Sequence, residues 1–240
     1  MREGWLRKKR LLAILAMASC LGLAWAGWQI ARPWAGDLER FNPATTALME
    51  LRAEQWAEAG VKVSLRRTWV SYERIAPVLV QAVLIAEDDR FFRHDGFDFR
   101  MLRKALSQNL ERGDAKFGAS TITQQLAKNL YLSPRRSLWR KFQEGLLTIG
   151  MESTLSKRRI LELYLNLVEW GRGVFGAEAA ARYYFGCGAS NLGPDQAARL
   201  AAILPAPLRW DPRRPGAFVE ARTRRILHEM RRRGLGRLWR

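Results

Sequence analysis

Apolar residues are unevenly spread along this chain. From Leu11 to Ala31 no charged residue occurs. At helical rise that run is roughly 31 Å long, enough to cross a bilayer's hydrocarbon core. Arg7, Lys8, Lys9 and Arg10 precede it. By the positive-inside rule they hold the N-terminus in the cytoplasm, with Trp25 and Trp28 at the far interface. A cleaved signal peptide is the rival, because Ala24-Trp25-Ala26 imitates a cleavage site. The apolar run continues past that site, which favours a retained anchor. The pattern divides the chain into a basic tail (1–10), an anchor (11–31), a membrane-proximal segment (32–65) and a globular domain (66–240).

The rest of the pattern is mainly helical. Residues 32–60 read as a rough amphipathic helical stretch. Residues 61–72 alternate and are rich in β-formers, so they predict a short strand or extended arm. Pro77 suits a first helical turn. The run from Val78 to Ala86 is apolar enough for a buried helix, which would deliver Glu87 and Asp88 at its C-terminal end. Residues 108–119 are polar with two glycines and read as a loop. Thr121 followed by Gln124 predicts a capping box, with Leu126 and Leu130 anchoring the helix and Gln124 and Lys128 one turn apart on another face. Ser137 and Ser156 predict caps for helices to about Leu155 and through Ile160, Leu161, Tyr164, Leu165 and Val168. Gly171-Arg-Gly173 breaks the second. Alanine-rich helices follow at about 175–184 and 194–204, the latter bounded by Pro194 and Pro205. An Arg-rich helix spans about 216–233.

Charge changes the picture. Lys and Arg number 41 against 23 Asp and Glu, a formal net charge of +18. Such a surface attracts polyanions, whether nucleic acid, anionic lipid or a pyrophosphate. Most of these cations read as a solvated surface. Cys20 lies in the apolar leader and Cys187 in the globular part, so a disulfide between them is not expected. Neither they nor His94 and His228 have zinc-site spacing.

Four segments carry recognisable chemistry: Glu87-Asp-Asp-Arg-Phe-Phe-Arg-His-Asp-Gly96, Gly118-Ala-Ser-Thr-Ile-Thr-Gln-Gln-Leu-Ala-Lys-Asn129, Arg140-Lys-Phe-Gln-Glu144 and Lys157-Arg-Arg-Ile-Leu-Glu-Leu-Tyr-Leu-Asn166. Together, and in this order, they resemble the motifs of the peptidoglycan glycosyltransferases. The resemblance runs from about Arg66 to Asp211, and the layout is similar to the family's monofunctional biosynthetic branch. Neither Ser-x-x-Lys nor Lys-Thr-Gly is present, so the transpeptidase chemistry of bifunctional relatives is not expected. In the family a basic residue usually follows Tyr-Phe-Gly near 184–186, where this chain has Cys187.

The resemblance implies a mainly α, lysozyme-like, two-lobed domain on a single membrane helix, at the bacterial inner membrane with its catalytic part periplasmic. The implied substrates are lipid II, a lipid-linked disaccharide-pentapeptide, and the growing glycan chain. Membrane lipid and cell-wall synthesis or division proteins are the further partners implied; nucleic acid is not. Glu87 is expected to be the base, with a pKa raised by burial and by the helix C-terminus. Asp88 and His94 are expected to brace the site. Lys128, Arg136, Arg140 and Lys141 are the expected phosphate contacts, since Arg offers a bidentate fork and Lys a mobile charge. Glu144 is the second catalytic carboxylate, ordering those cations through an i,i+4 pair to Arg140 or helping to hold a divalent ion (Mg or Mn) at the pyrophosphate; no metal is required. Lys104, Ser120, Gln124 and Asn129 complete the implied substrate-binding set, while Glu162 and Asn166 read as structural. Two readings compete. A lysozyme-like hydrolase also uses two carboxylates, but neutral glycosidic bonds need no array of cations. A membrane-tethered cationic binding protein accounts for the charge, but not for the ordered Glu, Gln and Lys motifs.

Overall fold

The computed structural model describes residues 36–112, 120–132 and 137–237, together with residues 17 and 22. The expected basic tail, the expected anchor apart from those two positions, Arg136 and Cys20 lie outside the described residues. No helix among the described residues is long and apolar enough to cross a membrane.

The described part is mainly helical. Its elements are α1 (Ala47–Glu58), α2 (Pro77–Glu87), α3 (Phe99–Arg112), α4 (Ile122–Tyr131), α5 (Leu138–Thr154) and α6 (Lys157–Leu167). A two-strand antiparallel hairpin, β1 (Glu169–Gly171) and β2 (Val174–Phe175), is followed by α7 (Ala177–Phe185), α8 (Pro194–Ile203) and α9 (Ala217–Arg233). Local chemistry sets the starts. Thr46, Ser137 and Ser156 each accept a bond from a backbone N–H three residues on, which fills one of the donors a helix start leaves orphaned. Pro77 and Pro194 sit at first positions, where no N–H is needed.

The core forms around α2. Its residues 79–84 are all buried, so it is enclosed on every side, against α8 and α9. Gln81, at 0% exposure, is the polar exception. Its Nε2 donates to the carbonyls of Gly234 (2.8 Å) and Arg237 (2.9 Å), and its Oε1 accepts from Gly236 N (2.9 Å). That satisfies the amide and locks the turn after α9 onto α2. A second group forms around α4, which packs on α1, α5 and α6. The apolar face expected on α6 is buried in full.

Residues 61–71 take the second of the two forms expected for them, an extended arm with one bridge, Arg66 to Val174, among the described residues, while one other segment differs from expectation. The strand edge facing the arm is the two-residue β2, too short for a ladder. The arm's close seat depends on Gly173, at φ +71°, where a Cβ would stand 2.7 Å from Ser64 O. Residues 108–112 continue α3 instead of opening a loop. Gln, Leu, Glu and Arg there are good helix formers, and the helix is amphipathic to its end.

Candidate active site

Glu87 is the last residue of α2, at the end where the helix dipole is negative. Its side chain is 11% exposed. Oε2 accepts from Gln125 Nε2 at 2.9 Å, and Oε1 accepts from Arg222 Nη2 at 3.1 Å. Gln125 is held in turn by Tyr164, whose hydroxyl donates to Gln125 Oε1 at 2.9 Å. Burial pushes the Glu87 pKa above the usual carboxylate value. The bonds from Gln125 and Arg222 pull it back, and Asp88 adds a small upward push. A buried base with a raised pKa suits proton abstraction near neutral pH.

Asp88 joins the first two motifs. Oδ1 meets His94 Nε2 at 2.9 Å, and Oδ2 accepts from Ile122 N at 3.0 Å, the first residue of α4. A carboxylate at a helix N-terminus is favoured by the dipole. The expected capping box is present: Gln124 N donates to Thr121 Oγ1 (3.3 Å) and Thr121 N to Gln124 Oε1 (3.0 Å). Thr121 Oγ1 also donates to Gly96 O at 2.6 Å. Gly96 has φ +86°, and a Cβ there would lie 2.5 Å from Thr148 Cγ2. Lys157 Nζ donates to His94 O at 2.6 Å. The first motif is thus tied to α4 and α6 by bonds converging on the turn that follows Glu87.

A cleft of about 460 Å³ opens beside this turn, lined by Ser120, Gln125, Lys128 and Asn129 on one side and by Arg140, Lys141 and Glu144 on another. Glu144 is 3% exposed. Arg140 Nη1 donates to its Oε2 at 3.1 Å, and Lys141 Nζ to its Oε1. Lys128 has no ion-pair partner among the described residues. Burial lowers its pKa, Arg140 and Lys141 push the same way, and Glu144 and Glu87 push back. Lys128 therefore feels both carboxylates. Two smaller hollows adjoin through Ser120. One of about 130 Å³ holds Glu87, Asp88 and Asp98, and one of about 320 Å³ is walled by Phe97, Phe99 and Leu102.

Most of the expected site residues come together here. Glu144, Ser120, Lys128, Asn129, Arg140 and Lys141 line the main cleft, and Gln124 and Lys141 line the apolar hollow. Gln124 spends its carbonyl on the cap, so the neighbouring amide, Gln125, is the one that reaches Glu87. Lys104 is exposed on α3 and lines none of the three hollows. Glu162 pairs with Arg159, and Asn166 is fully buried against Val70. Two participants carried no signal in the sequence. Arg222 comes from an Arg-rich helix that reads as solvated surface. Arg52 of α1 clamps Glu169 on β1 at the rim of the cleft, with contacts of 2.9–3.2 Å. The segment 32–65, set apart above, thus contributes a wall through Leu48, Leu51 and Arg52. Among the described residues no group of three His, Cys, Asp or Glu side chains is placed to hold a metal ion. Both Glu144 oxygens are held by cations, Arg140 and Lys141, so this carboxylate offers no free ligand to a divalent ion.

The family model for "Transglycosylase" matches residues 54–231. The chain is 50% identical over 190 residues to a biosynthetic peptidoglycan transglycosylase of Nitrosospira multiformis, covering 79% of this chain and 83% of the relative. It is 53% identical over 190 residues to one of Aromatoleum aromaticum, with 79% and 82% covered. A third, of Dechloromonas aromatica, is 42% identical over 226 residues, 94% of this chain and 95% of the relative.

Proposed function

We infer what this chain does from the family it belongs to, the transglycosylases: it is a peptidoglycan glycosyltransferase that polymerises lipid-linked disaccharide-pentapeptide into glycan for cell-wall synthesis. The observation that carries this reading is a buried carboxylate, Glu87, beside a cleft whose other walls supply Lys128, Arg140 and Lys141. A pyrophosphate leaving group calls for those cations, whereas hydrolysis of a neutral glycosidic bond does not.

In the reaction this supports, Glu87 takes the proton from the acceptor's 4-hydroxyl. The freed oxygen attacks the anomeric carbon of the donor, the growing chain, from the face opposite its pyrophosphate. The bond between the anomeric carbon and the phosphate oxygen breaks, that oxygen keeps the electron pair, and undecaprenyl pyrophosphate is released. Attack from the opposite face inverts the α-linked donor to a β-1,4 product. Lys128, Arg140 and Lys141 stabilise the departing charge, joined by Arg136 on the strength of the resemblance. Charge-assisted bonds are the strong ones in such a site. Glu144 holds Arg140 and Lys141 in place and offsets their mutual repulsion.

The finer fold, two lysozyme-like lobes around the cleft on a single membrane helix, is part of the same proposal. So is the localisation, with the chain anchored through residues 11–31 and its catalytic part on the periplasmic face of the inner membrane. A lipid-linked substrate needs an apolar approach. Phe99 and Leu102 wall the apolar hollow, and Leu106 and Leu110 on α3, with Leu138, Trp139 and Phe142 on α5, add exposed apolar surface. Incubation of the full chain with labelled lipid II tests the reading. High-molecular-weight, lysozyme-sensitive polymer is the expected product. Fragments released from preformed glycan, with no polymer from lipid II, would make it a hydrolase.

A further inference from the structure

Arg222 lies outside the four motifs and reaches Glu87 from α9, across 135 residues of sequence. Its side chain is 15% exposed. One nitrogen, Nη2, donates both to Glu87 Oε1 and to the carbonyl of Ala86, each at 3.1 Å. The guanidinium therefore answers two penalties at once: the buried carboxylate and the negative end of α2. Its Nε is buried without a partner among the described residues. An arginine held only for packing would be a poor choice here, since it leaves a donor unfilled. Arg222 does not line the 460 Å³ cleft, so it is separate from the cations available to the donor.

The other groups facing Glu87 do not substitute for it. Asp88, next along the chain, carries the same charge sign. Gln125 from α4 is neutral, and Tyr164 from α6 holds its proton well above the usual phenol range because it is buried. Lys128 from α4 is positive and feels Glu87, but it faces the cleft, where a bound diphosphate would neutralise it. With donor present, Arg222 is the cation left to Glu87. Arg225 bears on Arg222 as a like charge.

We propose that Arg222 is a positioning residue for the reaction: it keeps Glu87 ionised while donor is bound, and it fixes one carboxylate oxygen so that the remaining lone pairs serve the acceptor hydroxyl. This rests on Glu87 being the base. The test is the pH profile of lipid II polymerisation by the full chain in detergent, for wild type, R222Q, R222K and E87Q. Gln keeps a donor and removes the charge. Loss of an opposite charge at this range raises a carboxylate pKa by about one to three pH units. R222Q is therefore expected to move the acid limb of kcat upward by at least about one unit, to lose at least about fivefold relative to wild type at the wild-type midpoint, and to recover at alkaline pH with KM for donor unchanged. R222K should move the limb less. A folded R222Q with an unmoved acid limb makes Arg222 a structural brace and overturns the proposal. Near-wild-type polymerisation by E87Q would instead remove the base assignment itself. A measurement without any Arg222 variant stands beside these. In [13C]glutamate-labelled wild type with donor analogue bound, the resonance lost in E87Q should be that of a carboxylate at pH 7. A protonated carboxyl there overturns the proposal even if R222Q does not fold.

Discussion

Asn166→Ala separates structure from chemistry at a motif residue. Asn166 is 0% exposed near the C-terminal end of α6. Its Oδ1 accepts from Val70 N at 2.9 Å, and its Nδ2 donates to Val70 O at 2.9 Å and to Glu162 O at 2.8 Å. It therefore stands in for a neighbouring strand, holding the arm of residues 61–70 against the helix. Alanine leaves the buried N–H and C=O of Val70 without partners, at about 1–3 kcal/mol each, or about 2–6 kcal/mol for the pair. At about 2–4 °C per kcal/mol for a domain of this size, Tm should fall by about 4–24 °C. Glu162→Ala, one turn earlier on α6, removes only the pair with Arg159 and should cost about 1 kcal/mol or less. Thermal unfolding followed by circular dichroism reads both. At a temperature where Asn166→Ala is folded, polymerisation should stay within about threefold of wild type, an effect under about 0.7 kcal/mol on the barrier, because Asn166 does not line the cleft. An unchanged Tm with lost polymerisation would refute this reasoning and make Asn166 a substrate contact.

Other substitutions probe the site directly. Glu87→Gln should fold and bind donor, yet polymerise at least about 10²-fold more slowly; near-normal turnover would make Glu144 the next candidate base. Lys128→Ala should weaken donor binding by about 1.5–3 kcal/mol, the worth of a hydrogen bond to a charged group, read as donor KM or analogue affinity; an unchanged affinity would place it on an idle wall. The pH profile of polymerisation should be bell-shaped. Glu87 must be ionised, and burial raises its pKa, so activity falls on the acid side at a midpoint above 4.5. Lys128 must be protonated, and burial lowers its pKa, so donor binding fails on the alkaline side below 10.5; an acid midpoint at or below 4.5 contradicts the burial of Glu87. Gly96→Ala should destabilise by about 1–3 kcal/mol from backbone strain alone, beyond its clash with Thr148; an unchanged Tm would count against the turn as described.

Local signals were legible wherever one stretch of chain decides its own structure. The caps at Thr121, Ser137 and Ser156, the prolines at 77 and 194 and the buried run ending at Glu87 each depend on a few adjacent residues. Choices made by tertiary packing were not legible. Of the adjacent amides Gln124 and Gln125, the three-residue spacing from Thr121 assigns the first to the cap, but that the second reaches Glu87 is set by the seating of α4 against α2 and α6. Arg222 is one arginine among several on α9. Nothing in its spacing distinguishes it from the solvated ones until α9 lies beside α2. Residues 108–112 resemble a loop in polar composition, while the helix propensity of Gln108, Leu110, Glu111 and Arg112 carries α3 through them. The contribution of α1 to the cleft wall was hidden by its weak amphipathic pattern.

The Gln81 latch bears on how this protein can be handled. Residues 234–237, Gly-Leu-Gly-Arg, look in sequence like a loose end suited to trimming or to a fusion junction. Their backbone instead fills the hydrogen-bonding capacity of an amide in the middle of the helix that carries Glu87. Cutting before Gly234 would strand that amide in an apolar core and loosen the seat of α9, which delivers Arg222. An expression variant trimmed there could keep every catalytic motif and still turn over poorly, its defect lying in a few glycine-rich residues far along the chain from the chemistry.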